Sequence, residues 1–135
     1  MSSRRAQLLR LAVVLWAGSL WALALWITPV LFRLAPSRVL AGQMAGALFR
    51  AETLLTLVVA ALVAWIHGRS RGLGLYLAVA LLAANDFIIR YLMQLSKVQG
   101  QVLGLGFGAW HGVSTALYLI ACAAAVSVVW QDDLR

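Results

Sequence analysis

The chain has 135 residues, of which 64% are hydrophobic and 11% charged, and its formal net charge is +7. Charged residues make up about a quarter of an ordinary soluble domain, so this chain lacks the polar surface that such a domain needs in water. Its basic residues border apolar runs and form no patch on a polar domain. These features exclude nucleic acid as a partner and favour the lipid bilayer.

Four apolar runs are long enough to be membrane spans, since a spanning helix needs about 20 mostly apolar residues. They cover about residues 8–32, 51–67, 73–93 and 107–130. The first run continues past the short apolar core of a signal peptide, so we predict an uncleaved helix. The pattern predicts an all-α membrane protein, in which residues 1–135 form one domain, a four-transmembrane-helix up-down bundle.

The segment between the first two runs is rich in small residues. Pro36 and Ser37 break the first helix, and Ser37 is a candidate N-cap. Gly42 and Gly46 follow with the GxxxG spacing that lets helices approach closely in membranes. We predict a short interfacial helix over residues 39–49; the alternatives are a helix-packing segment and an early start of the second span.

Orientation depends on the basic residues at the span ends. With four spans, both termini share one side with the polar turn at 67–72. That side holds Arg4, Arg5, Arg10, Arg69, Arg71 and Arg135, and the other holds Arg33, Arg38, Arg50, Arg90 and Lys97. The small excess favours cytoplasmic termini. Because arginine far outnumbers lysine, which suggests a GC-rich bacterial genome, we expect a bacterial inner membrane protein.

Few ionisable residues lie within the spans, and each is a functional hypothesis because burying charge in lipid is costly. Glu52 is predicted at the start of the second span, Asp86 and Arg90 near the end of the third, and His111 at the start of the fourth. An up-down path places all four in one half of the membrane. Asp86 and Arg90, four residues apart, share a helix face.

The fourth span carries a polar stripe, in which His111, Thr115, Tyr118 and Cys122 follow helical spacing. Together with Glu52, Asp86 and Arg90, it is open to two interpretations. Either Arg50, Glu52, Asp86 and Arg90 neutralise each other and tie the helices together, or Glu52, Asp86, Arg90 and His111 line one pocket for a proton, cation, metal or small ligand. Cys122 is the only cysteine, which excludes an intrachain disulfide and a CxxC site, and we expect a small core residue there.

Three sequence blocks resemble the bacterial membrane proteins grouped as domain of unknown function 4149, which are related to eukaryotic transmembrane protein 205. The blocks are Leu15 to Ser19 with Pro29 to Phe32, then Ala41 to Arg50, and then Phe107 to Ser114. The resemblance implies a four-helix membrane bundle and no defined activity; the eukaryotic relatives are linked with drug and platinum resistance. Members often carry a proline near the end of the third span, where this chain has Ile88 to Tyr91.

The leading functional hypothesis is a non-enzymatic membrane protein that acts in transport or membrane homeostasis through its polar cluster, with no cofactor and no assigned metal ligands. One alternative is a haem- or metal-dependent redox protein with His111 as axial ligand. The first span loosely resembles the opening of membrane-bound protoporphyrinogen oxidase and copper-resistance D proteins. Another alternative is an assembly subunit, forming a homo-oligomer or binding a membrane partner. The candidate helix-packing residues are Gly18, Gly42, Gly46, Gly108 and Gly112.

Overall fold

The computed structural model describes residues 3–67 and 72–130, which are helical almost throughout. The helices are α1 (Ser3–Ala22), a π-helical segment (Leu23–Ile27), α2 (Thr28–Leu34), α3 (Arg38–His67), α4 (Leu73–Ala83), a second π-helical segment (Ala84–Ile89), α5 (Arg90–Gln99) and α6 (Phe107–Val129). The π-helical segments join α1 to α2 and α4 to α5 without a break.

Four helices are therefore long and apolar enough to cross a membrane. These spans are Ala6–Leu34, Arg38–Ile66, Leu73–Gln99 and Phe107–Val129, numbered first to fourth below. The all-helical fold and the four apolar spans predicted from the sequence are confirmed for the described residues. The third and fourth spans begin where the sequence predicts.

The second span begins earlier than predicted, because the break between the first two spans is short. Ala35 is extended (φ −68°, ψ 143°), as expected for a residue before proline. The Leu40 N–H donates to Ser37 Oγ over 3.2 Å, which confirms Ser37 as the N-cap of α3. From Arg38 the helix runs unbroken to His67, so residues 39–49 are not a separate interfacial helix.

A tight reversal connects the third and fourth spans. Val102 and Leu105 form an isolated antiparallel bridge. The two residues between them have positive φ, 53° at Leu103 and 76° at Gly104, as a two-residue reversal of this kind requires. The Trp110 indole N–H donates to Val102 O over 3.2 Å and fastens the turn to the start of α6.

The bundle has two unlike halves. The terminal half contains the start of α1, the end of α6 and the α3 and α4 ends at His67 and Leu73; the loop half contains the connections 35–37 and 100–106. The main hydrophobic cluster fills the terminal half up to the middle of the bundle. Its largest fully buried side chains are Val13, Trp16, Leu20, Leu75, Leu82, Cys122 and Val128. The expectation that Cys122 is a core residue is thus confirmed.

The closest packing in the terminal half is between α4 and α6, at Gly74. A Cβ on Gly74 would lie 2.9 Å from Ala124 O and against Ser127 Oγ. A glycine is required here because the two backbones are too close for any side chain. The outside of the bundle is apolar, and large side chains such as Trp65 (81% exposed) project from it. In water a surface of this kind would aggregate, whereas in lipid it is solvated.

Candidate functional site

Four polar residues from the four spans lie at the same level of the bundle. The midpoints of the spans are residues 20, 52, 86 and 118. Glu52, Asp86 and Tyr118 occupy three of these midpoints, and Ser19 lies one residue before the fourth. In an up-down bundle the middles of the spans lie side by side, so these residues form a polar layer, which we call the middle layer.

Glu52 is buried in this layer, with 9% of its surface exposed. Ser19 Oγ lies 2.6 Å from Glu52 Oε1 and 2.7 Å from Trp16 O. The described residues include no Lys, Arg or His in a salt bridge with the Glu52 carboxyl group. The sequence-based placement of Glu52 at the start of its span is corrected, because the span begins at Arg38.

A second hydrogen bond joins the first and second spans on the terminal side of Glu52, and another within α3 supports it. The Trp16 indole N–H donates to Thr56 Oγ1 over 2.8 Å, and the Thr56 hydroxyl donates to Glu52 O over 2.8 Å. Trp16 and Thr56 are fully buried. Together with Ser19, they hold α1 and α3 in a fixed register around the carboxyl group.

The second polar group of the middle layer is an ion triad, which consists of Arg50, Asp86 and Arg90. Arg90 Nη1 lies 2.8 Å from Asp86 Oδ1, and Arg50 Nε lies 3.3 Å from Asp86 Oδ2. Arg90 Nη1 also donates to Gly46 O over 3.1 Å. The Asp86 side chain is 7% exposed, while those of Arg90 and Arg50 are 32% and 58% exposed. The predicted Asp86–Arg90 pair is therefore present, and Arg50, one of the four residues predicted to neutralise each other, also pairs with Asp86.

The ion triad explains why position 46 is a glycine. A Cβ on Gly46 would collide with the Arg90 guanidinium group. At Gly18, Gly42, Gly108 and Gly112, a Cβ would meet nothing within 4 Å. Of the five glycines predicted as helix-packing residues, Gly46 is therefore the only one whose Cβ would meet another described part of the chain, and the group it would meet is a side chain.

The polar stripe of the fourth span divides between the inside and the outside of the bundle. Tyr118 is buried; its hydroxyl donates to Leu20 O over 3.1 Å, and its ring packs edge-on against Phe49 with 4.8 Å between centroids. His111 and Thr115 are exposed. The His111 ring is stacked with Phe107, and the Thr115 hydroxyl donates only to His111 O. Among the described contacts, nothing joins His111 to Glu52, Asp86 or Arg90.

The single pocket predicted for Glu52, Asp86, Arg90 and His111 is thus not formed. The structure has a buried carboxyl group with Ser19, an ion triad around Asp86, and an outward-facing histidine. No group of three His, Cys, Asp or Glu side chains suitable for a metal ion occurs among residues 3–67 and 72–130. His67, whose backbone ends α3, has a side chain outside the described part.

Both π-helical segments border the middle layer. The first, Leu23–Ile27, precedes Pro29, and the Thr28 hydroxyl donates to Leu23 O over 2.8 Å. The second contains Asp86 together with Asn85, whose Oδ1 is buried without a hydrogen-bond donor among the described atoms. Widened turns of this type occur frequently at functional sites, and an unpaired buried oxygen is costly. Residues 84–89 therefore combine a widened helical turn with the two polar side chains Asn85 and Asp86.

Several residues of the site are missing from the sequence-based prediction, namely Trp16, Ser19, Gly46 as the Arg90 partner, and Thr56. For Ser19 and Thr56 no signal is visible, because neutral hydroxyl residues are common in membrane helices. No protein-family model, curated protein or solved structure matches this chain.

Proposed function

We propose that the chain is a multi-pass membrane protein whose Glu52 carboxyl group binds and releases a proton as part of transport. The four apolar spans support membrane insertion. A carboxyl group at the midpoint of a span is a functional hypothesis by default, and carboxyl groups of this kind form the proton relays of pumps and transporters. The resemblance to the family of unknown function 4149, the inner bacterial membrane and cytoplasmic termini remain part of this proposal.

One observation carries the proposal, namely the position of Ser19 Oγ between two acceptors. Trp16 O and Glu52 Oε1 lie 2.7 and 2.6 Å from this oxygen, yet a hydroxyl group has a single hydrogen to donate. If Ser19 donates to the Trp16 carbonyl, the second hydrogen bond needs a proton on Glu52, which then donates to Ser19 Oγ. A neutral carboxylic acid also avoids the cost of a buried charge that has no cation beside it.

The surroundings of Glu52 suggest from which side the proton arrives. On the terminal side the core is apolar, with Val13, Val59 and Val63 buried. Asp86 lies at the level of Glu52, and Arg50 and Arg90 lie two and four residues nearer the loop side along their spans. We therefore propose that the proton exchanges with the loop side.

Infrared spectroscopy of the reconstituted protein tests the protonation directly. The wild type should show the C=O stretching band of a protonated carboxylic acid at neutral pH, and Glu52→Gln should lose it. His111→Gln, which removes a titratable group from the outside of the bundle, serves as the matched control and should keep the band. A wild-type spectrum without this band would contradict the proposal.

Proton movement is measured separately, in vesicles with an entrapped pH-sensitive dye and an imposed pH gradient. The wild type should dissipate the gradient faster than protein-free vesicles, and Glu52→Gln should reduce the rate to that of protein-free vesicles. His111→Gln should behave as the wild type. Equal rates for the wild type and Glu52→Gln would show that protons do not pass through this carboxyl group.

A further inference from the structure

The second and third spans separate in the loop half of the bundle. α3 packs against α4, but it makes little direct contact with α5. The space between α3 and α5 is crossed by the Arg90 side chain, whose guanidinium group reaches Gly46 O. One turn nearer the loop end, Gly42 is exposed and a Cβ there would meet nothing within 4 Å. We call this space the α3–α5 groove; its floor on α3 is Gly42 and Gly46.

The inner end of this groove has an excess of positive charge. Asp86 is one acid between two arginines, so one guanidinium charge in the triad is unbalanced. The Arg50 side chain is 58% exposed, and its guanidinium group contacts Asp86 through Nε alone, at 3.3 Å. Its remaining N–H groups have no acceptor among the described residues. A guanidinium group in this state within a membrane span needs an anion or water.

Two aromatic side chains are exposed on the outside of the third span. Phe87 and Tyr91, four residues apart, directly follow Asp86 and Arg90 in the chain. A molecule that fits this arrangement has an anionic group for the arginines and an apolar chain for the aromatic side chains.

We propose that the α3–α5 groove binds the anionic headgroup of a bilayer phospholipid. The phosphate accepts hydrogen bonds from Arg50 and Arg90 in the groove, and the acyl chains lie along Phe87 and Tyr91. Headgroups are drawn toward arginines within a membrane by local thinning of the bilayer, and the open Gly42 floor leaves room for this movement. The site is independent of Glu52 and of the proton proposed to bind there.

Native mass spectrometry of the full chain in mild detergent, titrated with phosphatidylglycerol or phosphatidylcholine, tests the proposal. The wild type should retain phosphatidylglycerol in preference to phosphatidylcholine. Arg50→Gln should weaken the retention of phosphatidylglycerol by about ten-fold, since a hydrogen bond between charged groups contributes about 1.5 kcal/mol or more. Arg33→Gln is the matched control, an exposed arginine of the same half without an ion pair to a described acid, and should retain the lipid as the wild type does.

Arg50→Lys separates loss of charge from loss of fold. This variant keeps the charge and should stay within about two-fold of the wild type. The proposal is overturned if folded Arg50→Gln retains as much phosphatidylglycerol as Arg33→Gln, or if Arg50→Lys loses as much as Arg50→Gln. Inorganic phosphate is the remaining probe. If it stabilises the lipid-free protein as strongly as phosphatidylglycerol does, and Arg50→Gln abolishes this effect, the site takes a free anion and the lipid assignment is overturned.

Discussion

Ser19 Oγ and Glu52 Oε1 lie 2.6 Å apart at the middle of the first and second spans. This contact joins α1 to α3, and it is the one side-chain hydrogen bond of the Glu52 carboxyl group among the described residues. Its length is typical of a strong O–H···O hydrogen bond. The stability of the bundle and the chemistry proposed for Glu52 therefore depend on the same hydroxyl group.

Removal of this hydroxyl group should destabilise the protein. We expect Ser19→Ala to lower the free energy of unfolding by about 1 kcal/mol, because the Glu52 carboxyl group loses its hydrogen-bond partner between the first and second spans. Unfolding by SDS titration, followed by circular dichroism, measures the change. Thr115→Val is the control, because the Thr115 hydroxyl is exposed and bonds only within its own helix. Similar losses in both variants would contradict a special role for Ser19.

Loss of Asp86 alone should destabilise the protein more than loss of both Asp86 and Arg90. We expect Asp86→Asn to lower the free energy of unfolding by about 2–3 kcal/mol, because the guanidinium groups of Arg50 and Arg90 lose their counter-charge. Both groups are partly exposed, which limits the loss. Arg90→Gln added to Asp86→Asn should restore part of this loss. The SDS titration of the two single variants and the double variant gives the coupling energy. Strictly additive effects would show that Asp86 and Arg90 do not act as a pair.

Gly74 and Gly18 should respond to the same substitution with opposite signs. Gly74→Ala places a Cβ against Ala124 O and should destabilise the bundle by about 1–3 kcal/mol, because a backbone atom cannot move aside as a side chain can. Gly18→Ala meets open space and should stabilise α1 by about 0.5–1 kcal/mol through helix propensity. Melting temperatures in detergent reveal the signs. A stable Gly74→Ala variant would show that α4 and α6 are further apart.

His111 should be neutral for the bundle. We expect His111→Ala to change the free energy of unfolding by no more than about 0.5 kcal/mol, because the ring is exposed and is stacked only with Phe107. An absorption spectrum with elemental analysis of the purified wild type tests the alternative haem or metal function. A haem band that disappears in His111→Ala would favour the redox hypothesis over the proton hypothesis.

The number of spans and most of their ends were predictable because they depend on local signals. Ser37 caps a helix after a proline, and glycines near 72 and 104 mark the other reversals. The start of the second span was missed because Arg50 and Glu52 within an apolar run resemble the polar border of a span. Arg50 is tolerated inside the helix only because Asp86, 36 residues later, lies beside it. A pairing of this kind is not visible in local sequence.

Part of the candidate site was also predictable from local sequence. Asp86 and Arg90 share a helix face through their spacing alone, and the structure confirms the pair. His111 and Tyr118, seven residues apart, lie on nearly the same face of α6. This face is buried at Tyr118 and Cys122, which belong to the core cluster, but it is exposed at His111 and Thr115. Spacing within one helix cannot predict where along its length a neighbouring helix covers it.

The wide turn at residues 84–89 divides the third span into two parts with different helical phase. In the first part, residues 73–83, the helix face that carries Gly74 packs closely against α6. In the second part, residues 90–99, the face that carries Arg90 and the buried Ser96 turns toward the bundle, where Arg90 lies against Gly46. A π-helical turn holds more residues than an α-helical turn, and an α-helix advances by about 100° per residue. Conversion of residues 84–89 to a regular α-helix of the same length would therefore rotate the second part by about that angle. Arg90 would leave Gly46 O and Ser96 would leave its buried position, while Gly74 kept its contact with α6. The wide turn thus allows the third span to pack closely against α6 in the terminal half and to place Arg90 against Gly46 on the loop side.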